Sequence, residues 1–433
     1  MQACGSGDSS ETDIAPIDKT YQFSLSSSYT NACGTKIPVT DVELILQDEN
    51  WGKIESYYAN DNGKISFTTT SQYINYTIVA KNAVIEDGVS HIQGLDIASF
   101  YHALSENDYQ YFTPFAPVTD EDECQCVSRD LVLRHRSFAS ITQASSSLFY
   151  QSLTSIDEQT TQFNQVIACA NNGVDWPLAT FMVAGVDNNG EEIAAGDFLT
   201  DFSIDEHGQW QLAAVEVANF EVLNNEHDSF MHQQQFSRGQ HFRMQVAENS
   251  SQSLVFDDHS YISESEYLAE SSQLIRLTDS VFGSSRFESL HQKLSTRAQD
   301  AFSVEAIKKA PELDDSFYSE ISSDGSYDYS AVSNYPMAII RFDYVANSPT
   351  THLSIPVTWQ SYGAISGTLP SRINLVDYQD IIDQDSDVFN TQVTLLRSLE
   401  SNDYQDYLNF YQGIDNVGFN HDLLSYKLTL TVN

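Results

Sequence analysis

Apolar and polar residues alternate in short runs along most of this chain. The clearest runs are Tyr21-Gln-Phe-Ser-Leu25, Val39-Thr-Asp-Val-Glu-Leu-Ile-Leu46, Asn75-Tyr-Thr-Ile-Val-Ala80 and Tyr426-Lys-Leu-Thr-Leu-Thr-Val432. A period of two residues places successive side chains on opposite faces of a strand. Asp, Asn and Gly turns separate the runs, which is typical of antiparallel sheets. We therefore predict a mainly β protein made of tandem antiparallel β-sandwich domains with a helical insertion.

The predicted helical insertion lies where the period changes, between residues 285 and 309. Apolar residues there recur at steps of three and four, and Pro311 follows, so the pattern predicts a helix over 285–309. This segment also carries five cations, Arg286, Lys293, Arg297, Lys308 and Lys309. Either it docks against an acidic face of the protein or of a partner, or it is an ordinary solvated helix face. A second, short helix is predicted from Asp403 to Phe410.

Three stretches of the first block carry a resemblance to a known family. They are Val42-Glu-Leu-Ile-Leu46, the turn Asn60-Asp-Asn-Gly63 followed by Lys64-Ile-Ser-Phe67, and Tyr76-Thr-Ile-Val79. The block resembles the carboxypeptidase-regulatory-like, or transthyretin-like, modules of exported bacterial proteins. That resemblance implies an Ig-like or transthyretin-like sandwich with a structural or adhesive role and no catalytic residues. Trp51 departs from it, because an aromatic residue stands where a turn is expected.

A similar turn appears in the second block, where Asp205-Glu-His-Gly208 precedes Gln209-Trp-Gln-Leu212. It predicts a second related module, although shared hairpin turn chemistry explains the match as well.

The charge of the chain narrows the classes of partner. With 61 acidic and 20 basic residues, the formal net charge is −41. Nucleic acids and anionic lipid faces are repelled by such a surface, so we expect no nucleic-acid partner. A hydrophobic content of 41% is enough to build cores, so the charge indicates an acidic surface rather than disorder.

Cys4 follows Ala3 and precedes the polar run Gly5-Ser-Gly-Asp-Ser-Ser10. This stretch resembles the mature start of a bacterial lipoprotein. The resemblance implies acylation of Cys4, a membrane anchor formed by several acyl chains, and an outer-membrane location, because Gly5 stands where an aspartate would retain the protein in the inner membrane. The alternative is an unmodified polar start with a free thiol.

The other four cysteines are Cys33, Cys124, Cys126 and Cys169, an even number that suits two disulfides in an oxidising compartment. Cys124 and Cys126 are too close in sequence to pair easily with each other. We predict that Cys33 and Cys169 each pair with one of them, which ties the first two domains together. Zinc binding by the four is the alternative.

These features divide the chain into a tether (1–20), a transthyretin-like β-sandwich domain (21–120), a second β-rich domain (121–248), a partly helical connector (249–325) and a C-terminal β-rich domain (326–433).

Catalytic motifs are missing from the sequence. It contains no Gly-x-Ser-x-Gly elbow, no His-Glu-x-x-His and no phosphate-binding glycine loop. Asp383, Asp385 and Asp387 alternate as in a calcium loop, but Val388 and Thr394 replace the glycine and glutamate of an EF-hand. A looser calcium site or a solvated loop remains. The group Glu226-His-Asp228 with His232 is metal-capable, and Glu288 with His291 forms a candidate surface pair.

Tryptophans suggest a second kind of contact. Trp51 and Trp176 look loop-placed and are candidate glycan contacts, whereas Trp210 and Trp359 lie in predicted strands and are expected in the core. Two functions follow. One is a non-enzymatic membrane-anchored lipoprotein acting as an adhesin, scaffold or subunit of an envelope assembly, with no cofactor apart from the candidate calcium. The alternative is an exported carbohydrate-binding or carbohydrate-active protein.

Overall fold

The structure, a computed structural model, describes residues 19–86, 89–117, 124–174, 176–216, 218–221, 229–236, 241–246, 252–255, 265–280, 283–295, 321, 324–332, 334–347, 354–382, 387–413 and 422–432. Within these ranges the chain is built from strands, with one α-helix and two short 3-10 turns. The predicted mainly β class is confirmed.

The strands are numbered in chain order. The first eight are β1 (Tyr21–Thr30), β2 (Lys36–Pro38), β3 (Val42–Gln47), β4 (Lys53–Tyr58), β5 (Lys64–Thr69), β6 (Tyr73–Glu86), β7 (Val89–Leu104) and β8 (Asp108–Phe112). The next eight are β9 (Cys124–Arg134), β10 (Ser140–Ser146), β11 (Ser152–Asp157), β12 (Thr160–Asn171), β13 (Ala179–Val186), β14 (Glu192–Leu199), β15 (Trp210–Ala213) and β16 (Val215–Glu216).

The remaining elements follow the second block. The strands are β17 (Ala218–Glu221), β18 (Ser229–Phe236), β19 (His241–Val246), β20 (Gln252–Val255), β21 (Ser265–Ser280), β22 (Gly283–Ser295), β23 (Ser326–Asp328), β24 (Met337–Asn347), β25 (Ser354–Ala364), β26 (Ser366–Thr368), β27 (Asp387–Ser398) and β28 (Asp422–Val432). The helix is α1 (Tyr404–Tyr411), and the 3-10 turns are Arg372–Asn374 and Val376–Tyr378.

The first sandwich packs a small sheet onto part of a large one. Strands β2, β1, β5 and β8 form the small sheet, with β8 parallel to β1. Phe23 and Leu25 alternate inward from β1, and they share a core with Leu44, Tyr76 and other residues of the large sheet. The period-two pattern of the sequence therefore produces this core directly.

The large sheet, which we call the long sheet, has twelve strands in the order β19-β18-β21-β22-β28-β27-β24-β25-β7-β6-β3-β4. It joins the predicted first domain to the predicted C-terminal domain through a parallel pairing of β7 with β25, in which Ile97 is opposite Trp359. Met337 and Ile339 of β24 belong to the core of the first sandwich. Residues from the two ends of the chain therefore share one sheet and one core.

A buried chain of hydrogen bonds crosses the seam between β7 and β25. Trp359 Nε1 donates to Ser99 Oγ at 2.9 Å, and Ser99 Oγ lies 2.8 Å from Thr77 Oγ1. Thr77 Oγ1 donates to Gln47 Oε1 at 2.6 Å, and Gln47 Nε2 donates to the Trp51 carbonyl at 3.0 Å. Because buried polar groups must be paired, this chain favours one register of β25, β7, β6 and β3.

The second sandwich is formed by two four-stranded sheets, β10-β13-β14-β16 and β11-β12-β9-β15. Leu131, Phe163 and Phe181 are buried between them, together with Trp210. Trp210 is 1% exposed and Trp359 is 2% exposed, so both are core residues, as the sequence predicts.

The predicted helix over 285–309 is wrong for the residues that the structure describes. Residues 283–295 form β22, which pairs with β21 and β28, and residues 296–309 lie outside the described residues. Ser285, Phe287 and Ser289 alternate inward, because cross-strand pairing imposes a period of two. The described residues of the predicted partly helical connector 249–325 are likewise strands, apart from residues 321, 324 and 325.

The short predicted helix is confirmed as α1. Asp403 caps it by accepting a hydrogen bond from the Gln405 backbone N–H at 3.0 Å. Tyr407 and Leu408 pack into the core of the first sandwich. In the described part of the chain, no helix is long and apolar enough to cross a membrane.

Candidate functional site

Two disulfides hold the start of the second sandwich. Cys33, in the turn after β1, bonds to Cys124, the first residue of β9. Cys126 bonds to Cys169, which lies directly opposite on β12. Cys33 and Cys169 thus each pair with one member of the close pair, which is the arrangement inferred from the sequence. The Cys33–Cys124 bond links the first sandwich to the second.

A polar contact supports the same junction. Asn171 Nδ2, on β12, donates to Thr35 Oγ1 of the first sandwich at 2.8 Å.

The sulfurs of Cys124, Cys126 and Cys169 all lie within 4.8 Å of one another. They are joined in disulfides and so supply no thiolate, which is the form of cysteine that binds zinc. The structure therefore favours a covalent clamp over the zinc alternative.

The second sandwich carries an open cleft of about 420 Å³. Its lining comes from the end of β14, the loop 200–209 and strand β15. The polar residues that line it are Thr200, Asp201, Ser203, Asp205, Gln209 and Gln211. Phe198 and Leu199 supply apolar wall, and Ile204 is exposed at the rim. The cleft thus combines amide, hydroxyl and carboxylate groups with a smaller apolar surface.

Asp205 is fixed in the cleft by a turn. Its Oδ1 accepts backbone N–H bonds from His207 and Gln209, both at 2.9 Å, and its Oδ2 accepts from Gln211 Nε2 at 2.6 Å. The bond from the Gln209 backbone is the largest cause that lowers the pKa of the Asp205 carboxyl. Asp205 is therefore held ionised as a hydrogen-bond acceptor.

A network of polar side chains continues from the cleft onto the neighbouring sheet. Gln209 Nε2 lies 3.5 Å from Gln162 Oε1, and Gln162 Nε2 donates to Asp130 Oδ2 at 3.1 Å and to Asn164 Oδ1 at 2.7 Å. Asn164 Nδ2 in turn donates to hydroxyls of β11. Planar amides ordered in this way present donors and acceptors at fixed positions, which suits the hydroxyl groups of sugars.

Sequence reasoning did not find this cleft. Its residues belong to a loop between two strands, and only the turn Asp205-Glu-His-Gly208 stood out as a pattern. The turn forms, since the Asp205 N–H donates to the Gln209 carbonyl at 2.9 Å, but it is not a hairpin, because β14 and β15 on either side of it belong to different sheets. Asp201 and Gln211 lie in the same cleft because β15 pairs in parallel with β9. No local sequence pattern predicts this pairing.

Of the two tryptophans predicted to contact glycans, Trp51 differs from expectation. Trp51 is 3% exposed and its Nε1 donates to the Thr368 carbonyl at 2.9 Å, so it is a core residue and not an exposed sugar platform. Its positive φ of 64° explains how an aromatic residue occupies the turn between β3 and β4. Trp176 is partly buried and stacks on Phe202 at 5.0 Å between ring centres.

The structure describes some of the remaining candidate metal ligands and not others. Cys4, Asp383 and Asp385 lie outside the described residues, and so does Glu226-His-Asp228. Asp387 is the first residue of β27, and His232 lies on β18 opposite Ala269 of β21.

Glu288 and His291 do not form the predicted pair, because residues three apart on a strand point to opposite faces. Lys427 Nζ lies 3.6 Å from Glu288 Oε2, and His291 Nε2 lies 2.6 Å from Asp422 Oδ1.

Comparison with known proteins identifies no family for this chain. No family model matches the chain, and no curated protein matches it. A solved structure of two B repeat units of the collagen-binding protein of Staphylococcus aureus is similar over 82% of this chain and 90% of that chain, with 9% identity and a TM-score of 0.14. A likeness at this TM-score is too distant to support an argument about function.

Proposed function

We propose that this chain is an exported protein of the bacterial cell envelope that works by contact, as an adhesin, a scaffold or a subunit of an envelope assembly. The observation that carries the proposal is the pair of disulfides at the junction of the two sandwiches. Structural disulfides persist in oxidising compartments and are rare in the reducing cytosol. A lipid anchor on Cys4 then tethers the sandwiches to the membrane.

The chemistry of the cleft argues against a general acid at Asp205. General acids need a carboxyl whose pKa is raised toward the working pH. Hydrogen bonds led by that from Gln209 lower the pKa of Asp205 instead. An ionised carboxylate that is already fixed by a turn and by Gln211 is suited to accept hydrogen bonds from a bound partner.

The anchor is tested on the product of the intact gene, expressed in a Gram-negative host. We expect acyl mass on Cys4, loss of that mass in Cys4→Ser, and wild-type protein in the outer-membrane fraction. Free-thiol labelling without reductant checks the compartment, and Cys33, Cys124, Cys126 and Cys169 should stay unlabelled. An unacylated, cytosolic protein with labelled thiols would end the proposal.

The contact role is tested by recovering partners from envelopes. Cross-linked wild-type protein is expected to return a stoichiometric partner, and the Cys4→Ser variant, released from the membrane, should return less of it. A purified protein that instead releases reducing sugar from envelope polysaccharides would show that the role is catalytic.

A second candidate function, carbohydrate binding, is favoured by the ordered amides of the cleft and its neighbouring sheet. A glycan array tests it with Gln211→Ala as the cleft variant. The matched control is Gln125→Ala, which removes an exposed glutamine from β9 of the same sandwich. Signal lost in the cleft variant alone would support this candidate, and equal signal in all three proteins would exclude the cleft.

A further inference from the structure

Strand β15 forms one edge of the sheet β11-β12-β9-β15 in the second sandwich. It pairs in parallel with β9, and no strand of the described chain pairs with its other side. An edge strand presents a row of backbone N–H and C=O groups with which another chain can pair. The outward groups of β15 are therefore available for the addition of a strand.

Hydrogen bonds on the two sides of β15 show which of its residues face outward. The Ala214 N–H, directly after β15, donates to a carbonyl of β9 at 2.8 Å. On the other side, the Gln209 N–H donates to Asp205 Oδ1 and the Gln209 carbonyl accepts from the Asp205 N–H, both at 2.9 Å. Since the backbone groups of successive residues in a strand point to alternate sides, Gln211 and Ala213 face outward like Gln209.

The outward edge of β15 borders the cleft. The outward backbone groups of Gln211 and Ala213 have no hydrogen-bond partner within the ranges that the structure describes. Gln211 and Leu212 line the cleft of about 420 Å³, and Phe198 and Leu199 at the end of β14 supply its apolar wall. An extended chain that pairs with β15 therefore places its side chains at a ready-made cavity.

The opposite edge of this sheet, strand β11, is less suited to a partner. Its six residues are all exposed, but its register with β12 shifts between Ser155 and Asp157. Bulges of this kind interrupt an exposed edge and hinder pairing. Strand β15 pairs with β9 without a shift and contains neither proline nor lysine. Its edge thus lacks these protections.

Two carboxylates give the cleft its charge. Asp201 is exposed, and Asp205 is held by its turn and by Gln211. The described lining of the cleft contains no lysine or arginine. Beside it, His207 Nε2 lies 3.7 Å from Glu206 Oε1, and exposed Arg134 is opposite the last residue of β15. The cleft is therefore the acidic end of this edge, and it attracts a basic side chain.

We propose that β15 and the cleft bind an extended basic peptide segment of a protein partner, which adds to the four-stranded sheet as a further strand. Its backbone pairs with Gln211 and Ala213, and a lysine or arginine side chain pairs with Asp201 in the field of Asp205. Because β15 has only four residues, backbone pairing alone gives weak binding, and the cleft supplies the specificity. The inference rests on the contact role proposed above and gives the chemistry of the partner.

The probe is a phage-displayed library of linear decapeptides, selected on purified wild-type protein. The strongest binder is synthesised with a fluorescent label, and a matched form carries glutamate in place of its basic residue. Fluorescence anisotropy should show at least about tenfold weaker binding of the glutamate form.

N-methylation of alternate backbone amides tests strand addition directly. It is applied to one alternate set of amides and then to the other. Only one set of a paired strand faces its neighbour. Methylation of that set should weaken binding by about tenfold or more, and methylation of the other set should leave it unchanged.

Variants of the protein locate the site. Asp201→Lys should reverse the preference, so that the glutamate form of the peptide binds more tightly than the basic form. The matched control, Asp61→Lys, makes the same change at an exposed turn of the first sandwich and should keep the wild-type preference. Ala213→Pro removes an outward N–H without taking a bond from β9, and it should weaken both forms. Thermal melts check folding, and Asp201→Lys decides the question if Ala213→Pro does not fold.

Three results would overturn the inference. They are equal effects of the two N-methylated sets, the same change of preference in Asp201→Lys and Asp61→Lys, and a library that yields no peptide bound better by wild type than by Asp201→Lys. The last, together with a glycan whose binding is lost in Gln211→Ala, would assign the cleft to sugars. An envelope partner that still binds Asp201→Lys would keep the contact role and remove this site, so the two failures are distinguishable.

Discussion

Tyr378→Phe tests how a buried carboxylate is stabilised on the long sheet. Glu43, on β3, is 2% exposed, and its Oε2 accepts a hydrogen bond from the Tyr378 hydroxyl at 2.5 Å. Its Oε1 has no hydrogen-bond partner among the described residues. Tyr378 therefore supplies a direct hydrogen bond to this buried group, which Tyr58 on β4 also faces. Tyr378 comes from the segment that packs over Ile45 and Trp359.

The size of the effect follows from the charge of the acceptor. A hydrogen bond to a charged group contributes about 1.5–3 kcal/mol, and leaving a buried charged group unsatisfied costs at least as much. One lysine lessens the loss. Lys53 interacts electrostatically with Glu43 and forms an ion pair with Asp377, the residue before Tyr378. We therefore expect Tyr378→Phe to lower the free energy of unfolding by about 2 kcal/mol.

Tyr57→Phe is the matched control. Its hydroxyl donates to Glu55 Oε2 at 2.7 Å, but Glu55 is exposed and water replaces the lost donor. The expected loss is below about 0.5 kcal/mol.

Urea unfolding followed by tryptophan fluorescence measures both variants, and Glu43→Gln with Tyr378→Phe completes a double-mutant cycle. The reasoning is refuted if Tyr378→Phe is no more destabilising than Tyr57→Phe, or if the cycle shows no coupling.

Three further predictions concern the turns, the junction and alkaline pH. Gly63→Ala should destabilise the fold by at least about 3 kcal/mol in thermal melts. The φ of Gly63 is +69°, and a Cβ at this position would lie 2.4 Å from the Ser27 carbonyl oxygen. Gly208→Ala, with a similar φ and open space around it, should cost only about 1 kcal/mol. Cys33→Ser with Cys124→Ser opens a link that spans 91 residues, so chemical unfolding should show a loss of about 4–5 kcal/mol, and a loss near zero would contradict the clamp.

In the alkaline prediction, burial raises the pKa of core tyrosines, so these groups keep their protons in the folded state after the unfolded chain loses them. Stability should hold below about pH 10 and fall as pH rises beyond it, and tyrosinate absorbance should appear together with unfolding and not before it. The core tyrosines concerned are Tyr76, Tyr109, Tyr111, Tyr362, Tyr378 and Tyr404.

Local chemistry allowed part of the fold to be predicted. Alternation in Tyr21-Gln-Phe-Ser-Leu25 predicts β1 because Phe23 and Leu25 must face one core. Asp403 predicts the start of α1 because its side chain caps the helix. The disulfide pattern was inferred because Cys124 and Cys126 are too close in sequence to pair with each other. In each case the deciding interaction lies within a few residues of the pattern.

The misassigned segment 285–309 shows the limit of that approach. Phe287, Leu290 and Leu294 are spaced as on one face of a helix, but in β22 Phe287 is turned to the core and Leu290 to the other face. Both assignments bury Phe287, so the sequence of this segment alone does not decide between them. Pairing with β28 from the far end of the chain decides for the strand.

The same long-range pairing sets the neighbours of Arg286, which local patterns could not show. Arg286 is one cation among five in a predicted helix, where it would be an ordinary solvated charge. As part of β22 it is opposite Arg276 of β21 on one side and Thr429 of β28 on the other. Residues that are far apart in the sequence, such as Arg286 and Thr429, are thus direct neighbours in the sheet. The error about secondary structure has this cause, since the assignment of β22 depends on which strands become its neighbours, and one of them, β28, lies far from it in the sequence.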